Sequence, residues 1–174
     1  LTEKSEMGRG FLAELASEWE AEAVKAEALG VRVVRTRFGI ILAKEGGALP
    51  QMMAPLKFGL GGKLGSGRQW MSWVVLDDVV AIIKRALVDD ALNGAVNVVA
   101  PEAVRNDEFT ALLAKAMHRP AIFAAPAFVL RLAMGEMADE ALLASERGAP
   151  QRREQVDYRF IPSTPGAGLP ALWG

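Results

Sequence analysis

The feature that most constrains the fold is a long helical segment joined by one glycine to a short β-branched segment. In residues 11–30, apolar side chains recur at steps of three and four, which predicts a helix that ends at Gly30. Residues 31–42, VRVVRTRFGIIL, are rich in β-branched side chains and predict a strand. A helix, a tight turn and a strand in succession are typical of an α/β protein.

Further along the chain, the same patterns predict shorter elements of both kinds. The predicted helices cover residues 46–59, 77–90 and 105–120, and the predicted strands cover residues 68–76 and 95–100. We expect Asp77 or Asp78 to cap the second of these helices and Asn106 to cap the third, because short polar side chains favour that position. Residues 125–150 predict two more helices, separated at Gly135.

The predicted strands are too few for a complete doubly wound sheet. A parallel strand such as residues 31–38 needs neighbours on both sides and helices on both faces. We expect those neighbours to lie outside this sequence. The chain also begins with Leu1 rather than Met, and we therefore expect it to be part of a longer protein.

Composition narrows the classes of function. With 174 residues and 51% hydrophobic content, the chain is long enough for a domain with its own core. The net charge is −1 and no basic run stands out, so we expect no nucleic-acid partner. Cysteine is absent, and no apolar stretch reaches the ~18 residues of a membrane span. We expect a cytoplasmic protein that does not contact a membrane.

A glycine-rich stretch at residues 58–73, FGLGGKLGSGRQWMSW, has the composition of a phosphate-binding loop but not the spacing. A dinucleotide loop of the form G-x-G-x-x-G would need a glycine where Leu64 stands. A Walker loop would need serine or threonine after Gly62-Lys63, and Leu64 again stands there. From the residues alone, the stretch is either a flexible connection with a solvated Arg68 or a binding loop of another kind.

Residue chemistry alone gives no acid, base or nucleophile, so the catalytic residues stay unknown. The only histidine, His118, lies at a predicted helix C-terminus, where a cation complements the helix dipole, and we expect no metal site. Trp70 and Trp73 are large enough to stack on a planar ligand, but two tryptophans in a strand also suit a core. The only tyrosine, Tyr158, lies in an irregular C-terminal stretch.

Four stretches taken in order resemble one known family. They are FLAELASEWEAEA, RFGIILAKEGGALPQMMAPLKFGLGGKLGSGRQWMSWVVLDDVV, NGAVNVVAPEAVRNDEFTALLAKAMHRP and MGEMADEALLASERGAP. Over roughly residues 2–160 the chain is similar to the NAD(P)-dependent epimerase/dehydratase family of extended short-chain dehydrogenases. Within that family it resembles a bacterial branch named for sugar-nucleotide epimerases, which ends in a small C-terminal domain of unknown function.

The resemblance implies a fold and a division of the chain. The fold class is α/β, and the chain corresponds to the C-terminal portion of a Rossmann-like extended short-chain dehydrogenase, without the N-terminal βαβ units that bind the dinucleotide. Residues 1–120 correspond to the C-terminal part of the epimerase-like domain, with sheet strands and substrate-side elements. Residues 121–160 correspond to the small helical C-terminal domain, and residues 161–174 to an irregular tail.

The resemblance also implies ligands and the residues that contact them. The whole protein would bind NAD or NADP and a nucleotide-sugar-like small molecule, whereas this chain alone is not expected to hold the cofactor tightly. Residues that match substrate-side positions are Arg68, Gln69, Trp73, Arg105 and Asn106, and those that match positions beside the nicotinamide are Arg37 and Gly39. A guanidinium such as that of Arg68 suits a diphosphate because it grips phosphate oxygens at two points. The helix at residues 11–29 is the expected contact of a homodimer.

Two departures from the family pattern leave the activity open. Extended short-chain dehydrogenases use Tyr-x-x-x-Lys on the helix that matches residues 11–29, but here Ala21 stands four residues before Lys25. Val75 stands where the W-x-H-x-D-D pattern has its histidine. The leading hypothesis is the substrate-binding part of an atypical NAD(P)-dependent sugar-nucleotide epimerase or dehydratase, inactive by itself. The alternatives are a non-enzymatic ligand-sensing or protein-interaction member of the same fold, and a truncated gene without a separate function.

Overall fold

The computed structural model of the protein describes residues 1–6, 8 and 10–149, together with Tyr158, Phe160, Thr164, Gly166 and Leu169. Its helices are α1 (Phe11–Val24), α2 (Ala48–Lys57), α3 (Leu76–Val88), α4 (Asn106–Ala116) and α5 (Ala127–Met134). Its strands are β1 (Val34–Phe38), β2 (Ile40–Leu42), β3 (Trp70–Met71), β4 (Trp73–Val75), β5 (Gly94–Val98) and β6 (Val104–Arg105). A 3₁₀ segment, Lys25–Leu29, continues α1, and a π-helix, Ala138–Leu142, follows α5.

The strands form an α/β arrangement in which the longer pairs are parallel. β1 pairs with β5, with Val34 opposite Gly94, and β2 pairs with β4, with Ile40 opposite Trp73. The short strands β3 and β6 are antiparallel. The predicted α/β class is confirmed. The expectation that the neighbours of β1 lie outside the sequence was wrong for one side, because β5 supplies a neighbour from within the chain.

Gly39 is the point at which the chain changes its strand partner. The N–H of Gly39 donates to the carbonyl of Val98 at 3.4 Å, and the N–H of Ile40 donates to the carbonyl of Ser72 at 2.8 Å. A Cβ atom at Gly39 would lie 2.6 Å from that Ser72 oxygen and 2.9 Å from the backbone nitrogen of Trp73. Because no side chain fits so close to a backbone, a glycine is needed where the chain passes from β5 to β4.

Two clusters of apolar side chains form the core. The larger joins α2 and α4 to β3 and β4, and its bulkiest members are Trp73 and Phe109, each 1% exposed. The smaller joins α3 to β5 and includes Ile82, Val96 and Phe160. Burial of one such side chain contributes about 1.5–3 kcal/mol, so these clusters are the main source of stability.

The predicted helix caps were wrong at both helices. At α3 the N-cap position is held by Val75, and Asp77 and Asp78 lie inside the first turn, with no side-chain hydrogen bond to the cap. There the carboxylates still complement the positive end of the helix dipole. α4 begins at Asn106, whose Oδ1 instead accepts the backbone N–H of Leu64 at 2.8 Å. The Asn106 side chain therefore makes a long-range hydrogen bond to Leu64 instead of the local helix cap that the sequence predicted.

α1 and α5 have no fully buried side chain among the described residues. Phe11 and Trp19 of α1 are 68% and 69% exposed, and Phe128 and Leu132 of α5 are 68% and 88% exposed. The periodic apolar pattern of α1 therefore marks a helix but not a face that is buried against the rest of the described chain. The predicted break after α5 is confirmed, since Gly135 ends that helix with a φ of 60°.

The predicted irregular tail, residues 161–174, lies outside the described residues apart from Thr164, Gly166 and Leu169. Leu169 is buried in the larger cluster. In the part of the chain that the structure describes, no helix combines the length and the apolar character needed to cross a bilayer.

Candidate functional site

A cleft of about 750 Å³ opens where β1 and β5 end. α1 forms one wall, the ends of the two strands form the base, and the segment at residues 139–148 forms the opposite wall. The side chains that line it include Ala16 and Glu20 of α1, Arg37 at the end of β1, Asn97 of β5, and Glu140 and Leu142 of the opposite wall. In open α/β sheets, ligands bind in the crevice beyond the carboxyl ends of parallel strands. We therefore take this cleft as the candidate site.

Glu20 holds two arginines of β1 at the base of the cleft. Its carboxylate accepts hydrogen bonds from Arg37 Nε at 2.6 Å, from Arg37 Nη2 at 2.8 Å and from Arg35 Nη1 at 3.0 Å. The hydrogen bonds from Arg37 hold the pKa of Glu20 below its usual value, and the same bonds raise the pKa of Arg37. At neutral pH Glu20 is therefore an ionised anchor for the guanidinium fork of Arg37 and not a proton donor.

Three of the seven residues predicted for the site line the cleft: Arg37, Gly39 and Asn106. Gly39 has no side chain to offer. The amide of Asn106 is occupied within the protein, because besides its bond to Leu64 its Nδ2 lies 3.4 Å from the sulfur of Met71. Of these three residues, only Arg37 brings a charge to the cleft.

The other four predicted residues lie outside the cleft lining. Gln69 is 7% exposed, and its amide donates to the carbonyls of Leu64 and Leu142. Trp73 is buried in the larger core cluster. Both residues therefore support the fold beneath the site. Arg68 is exposed on the glycine-rich stretch, and the fourth residue, Arg105, is exposed beside Trp70.

Two guanidinium groups stack on the ring of Trp70, which itself lines the cleft. The guanidinium carbon of Arg105 lies 5.0 Å from the ring centroid, and that of Arg147 lies 4.6 Å from it. Arg105 reaches the ring because it stands opposite Trp70 in the β3–β6 pair. Sequence reasoning missed Arg147, because it placed this residue in the second helix predicted for residues 125–150. That prediction was wrong beyond Leu142, where the helical segment ends and tertiary contacts bring Arg147 to Trp70.

Residues 145–148 run along β3 and place Arg147 beside Trp70. Both backbone groups of Trp70 are hydrogen-bonded to this segment. The N–H donates to Ser145 Oγ at 3.1 Å, and the carbonyl accepts the Glu146 N–H at 3.1 Å. Ser72 Oγ donates to the Glu146 carbonyl at 2.9 Å and accepts the Gly148 N–H at 2.7 Å. This strap therefore forms a fixed wall of the cleft.

Glu140 links the two walls of the cleft. Its two carboxylate oxygens accept the backbone N–H groups of Phe11 and Leu12, each at 3.1 Å. These are orphan donors of the first turn of α1, where a negative charge also complements the helix dipole. Gly10 leaves room for this contact, since a Cβ there would lie 2.8 Å from Glu140 Oε1. Sequence reasoning did not find this long-range cap.

The glycine-rich stretch forms backbone hydrogen bonds with the segment that leads into α5. Gly65 N–H donates to the Ala125 carbonyl at 2.8 Å, and Ala125 N–H donates to the Lys63 carbonyl at 2.9 Å. A Cβ at Gly62 would lie 1.2 Å from the carbonyl oxygen of Phe123. The backbone N–H groups that already donate within the protein belong to Gly59, Leu60, Leu64, Gly65 and Gly67. The close approach of two backbones explains Gly62 without a phosphate.

The glycine-rich stretch at residues 58–73 does not have the position of a dinucleotide cradle. The pyrophosphate of NAD(P) needs free backbone N–H groups at a glycine-rich turn between a strand and a helix. The glycine-rich stretch follows α2 and leads into β3, so it does not lie between a strand and a helix, and five of its N–H groups already donate within the protein. In the described part of the chain, no group of three or more His, Asp or Glu side chains is placed to hold a metal ion.

Comparison with known proteins identifies the family. Residues 125–164 match the family described as "Domain of unknown function (DUF1731)". An epimerase family protein of Mycobacterium leprae is 39% identical to this chain over 96% of the chain and 54% of its own length. The chain belongs to the NAD(P)-dependent epimerase family. It spans about half the length of the curated relatives that it matches.

Two solved structures resemble this epimerase-family chain over nearly its full length. Human epimerase family protein SDR39U1 (isoform 2) with NADPH is 30% identical, with a TM-score of 0.89 over 99% of this chain and 58% of that one. The nucleoside-diphosphate sugar epimerase of Corynebacterium glutamicum is 35% identical, with a TM-score of 0.76 over 96% of this chain and 32% of that one. The predicted family and its C-terminal domain of unknown function are confirmed.

In this epimerase-family chain, the domain of unknown function builds part of the candidate site. Leu142, Ala144, Glu146 and Gly148 all belong to the matched stretch, and all line the cleft. The domain is therefore a wall of the cleft and not a separate appendage.

Proposed function

We propose that the cleft is the substrate site of an atypical NAD(P)-dependent sugar-nucleotide epimerase or dehydratase, and that this chain supplies its substrate-binding part. The observation that carries the proposal is the position of the cleft, beyond the carboxyl ends of β1 and β5 in an epimerase-family chain. The similarity to the C. glutamicum protein, which is named a nucleoside-diphosphate sugar epimerase, supports a nucleotide sugar as the ligand.

In this proposal, Arg37 contacts the ligand at the base of the cleft. Glu20 accepts from Nε and Nη2 of Arg37 and the Glu3 carbonyl accepts from Nη1 at 3.4 Å, so the guanidinium keeps a fixed direction. Gly39 lets the ligand approach the backbone where the strands change partners. NAD or NADP, bound by the whole protein, would supply transient hydride transfer. Because the glycine-rich stretch does not have the position of a pyrophosphate cradle, we expect this chain to bind substrate without turnover.

Two matched substitutions on α1 test the location of the substrate site. Ala16 lines the cleft, whereas Ala21, on the same helix, is exposed outside it. Ala16→Phe places a phenyl ring inside the cleft and should weaken or abolish binding of UDP-glucose, measured by isothermal titration calorimetry. Ala21→Phe adds the same ring to solvent and should leave the affinity unchanged. If the unmodified chain binds no nucleotide sugar, or if Ala16→Phe binds as tightly as Ala21→Phe, the proposal is wrong.

A second candidate function is a non-enzymatic ligand-binding member of the same fold. The observation that favours it is that the expected tyrosine–lysine pair is incomplete and lies away from the cleft. Lys25 lies 2.6 Å from Glu22 in an exposed ion pair outside the cleft lining, and Ala21 is exposed to solvent. A full-length relative that retains Ala21 and Lys25 should distinguish the two. Bound UDP-glucose that is never converted in the presence of NAD or NADP would favour the non-enzymatic role, and conversion would exclude it.

We also propose a homodimer that forms through α1. Its exposed Phe11 and Trp19 would be covered by the same helix of a second copy, as in a two-fold interface. Analytical ultracentrifugation should give twice the mass of the chain, and Trp19→Lys should return the mass to that of a monomer. A monomeric wild-type chain would contradict this proposal.

A further inference from the structure

We infer that Asn93 is a site of spontaneous deamidation, which stays protected while β1 and β5 are paired and reacts when the start of that pair opens. The sequence contains three asparagines, and Asn93 is the only one that a glycine follows. Asparagine is a thermolabile residue, and a following glycine puts no side chain in the way of the reaction. The inference does not depend on the proposed function, because Asn93 lies outside the cleft lining.

The reaction uses only this dipeptide and water. The backbone nitrogen of Gly94 attacks the side-chain carbon Cγ of Asn93. A bond forms between that nitrogen and Cγ, the bond from Cγ to Nδ2 breaks, and Nδ2 leaves as ammonia with the proton that Gly94 gives up. Water then opens the cyclic imide. Addition at Cγ yields aspartate, whereas addition at the backbone carbonyl carbon yields isoaspartate, in which the main chain runs through the side chain.

In the folded chain, the attacking nitrogen is held by a hydrogen bond across the strand pair. The N–H of Gly94 donates to the carbonyl of Val33 at 2.8 Å, at the end of the pair where Val34 stands opposite Gly94. Attack requires a rotation of the Asn93 backbone that turns this nitrogen towards Cγ, and the hydrogen bond is lost in that geometry. The side chain of Asn93 is exposed to water, but its reaction partner is occupied.

The residue that precedes Asn93 is fixed as well. Leu92 is 1% exposed, its N–H donates to the Asp89 carbonyl at 3.1 Å, and its carbonyl accepts from Arg32 Nη1 at 2.9 Å. The same Nη1 donates to the Ala86 carbonyl of α3 at 2.8 Å. Arg32 therefore ties the turn before β5 to the end of α3, and this turn can rotate only when these bonds break.

Isoaspartate at this position makes the opening of the pair difficult to reverse. It lengthens the main chain by a carbon atom next to the register pair of Val34 and Gly94. Its carboxylate adds a negative charge to a turn that already carries Asp89 and Asp90. Because the register of a strand pair is set by matched positions, β1 and β5 close less favourably after the reaction than before it.

Peptide mass spectrometry after incubation of the chain at neutral pH measures the reaction at each asparagine. In the wild-type protein, Asn93 should react about tenfold faster or more in urea than in buffer, because a reaction through an open state follows the population of that state. Arg32→Ala removes the tie to Leu92 and should raise the rate in buffer several-fold. Arg119→Ala, which removes an exposed guanidinium beyond α4, is the matched control and should react like the wild type.

The other two asparagines are internal references in the same digests. Asn97 is followed by Val98 and Asn106 by Asp107, so each has a side chain next to the attacking nitrogen. Neither should reach the rate of Asn93 in urea. Circular dichroism verifies that the two arginine variants are folded in buffer.

A second measurement keeps the test independent of the stability of Arg32→Ala. In the wild-type protein, urea below the unfolding transition should accelerate hydrogen exchange at the Gly94 amide and deamidation of Asn93 in parallel. The inference is wrong if Asn93 does not react in urea, or if it reacts as fast in buffer as in urea. It is also wrong if the exchange of Gly94 and the deamidation of Asn93 respond differently to urea, or if folded Arg32→Ala reacts no faster than Arg119→Ala.

Discussion

At the base of the cleft, the amino-acid type of a residue is constrained either by contact with the backbone or by charge. Gly39 is fixed by contact, because the backbone of Ser72 and Trp73 occupies the space of a side chain. Glu20 is fixed by charge, because both Arg35 and Arg37 donate to it. Positions of the first kind tolerate no added atom, whereas those of the second kind tolerate a change of shape more readily than a loss of charge.

Replacing Gly39 with alanine should destabilise the protein by about 1–3 kcal/mol, the usual cost of overpacking. The added Cβ would lie 2.6 Å from the Ser72 carbonyl oxygen, so the change of strand partner would have to shift. Gly8→Ala is the control, since a Cβ there would meet only the Ala13 Cβ at an ordinary 3.6 Å. Urea unfolding measures the free energy of unfolding of both variants. Equal values would show that a methyl group fits at Gly39 without strain.

Tyr158 gives a pH-dependent prediction that can be measured directly. Its hydroxyl donates to Asp78 Oδ1 at 2.7 Å, and burial together with this bond raises the pKa of Tyr158 to about 12. Since Tyr158 is the only tyrosine, the ultraviolet absorbance of phenolate titrates this group alone. The midpoint should be about 12 in the folded protein and about 10 after unfolding.

The sign of the linked stability follows from the direction of that shift. Because the folded pKa of Tyr158 lies above the unfolded one, its stabilising contribution is complete below pH 10 and is lost as the pH rises through 12. Asp78→Asn removes the negative charge and should lower the folded midpoint. A folded midpoint near 10 in the wild-type protein would mean that the Tyr158–Asp78 bond does not form in solution.

At the scale of elements, positions along the chain follow from local sequence, whereas contacts between elements do not. The helical pattern at residues 105–120 predicted α4 because Phe109 and Leu113 repeat at the helical period, and both are buried. The two-residue strand β6 has too few residues for any pattern, so it was not predicted. The use of Asn106 to hold Leu64 also depends on a partner far away in sequence, which no local rule can supply.

At the element scale, a single substitution should break the contact between the glycine-rich stretch and residues 121–125, which lead into α5. Gly62→Ala should release the segment at residues 121–125, because its Cβ would lie 1.2 Å from the Phe123 carbonyl oxygen. Hydrogen exchange should become at least several-fold faster at Gly65 and Ala125, whose N–H groups bridge the two segments. Gly8→Ala again serves as the control, and protection that is unchanged in Gly62→Ala would mean that the two backbones are not in contact.

At the scale of the whole molecule, the cleft is assembled from both ends of the described chain. α1 supplies one wall and the domain of unknown function supplies the other, and Glu140 joins them through Phe11 and Leu12. The resemblance to the family predicted this domain and its place after the epimerase-like part. It did not predict that the domain lines the cleft, because that depends on hydrogen bonds between residues that are far apart in the sequence.

Removing the link across the cleft should loosen α1 at its start. Glu140→Ala leaves two N–H groups of the first turn without their acceptor, at a cost of about 1 kcal/mol, as for other lost helix caps. The amides of Phe11 and Leu12 should then exchange faster, as observed by nuclear magnetic resonance. Glu136→Ala removes an exposed carboxylate near the π-helix and should leave them unchanged. Equal exchange in the two variants would show that Glu140 does not hold the walls together.

The long-range character of these contacts has a consequence for how the protein is made. Phe11 and Glu140 are separated by 129 positions, and Trp70 and Ser145 by 75. Contacts at such separations form slowly because long loops must close first. During synthesis, α1 and β3 must leave the ribosome long before the strap and the π-helix exist. The cleft can therefore form only after residues 139–148 have been synthesised, and the surface of α1 and β3 that lines it stays uncovered until then.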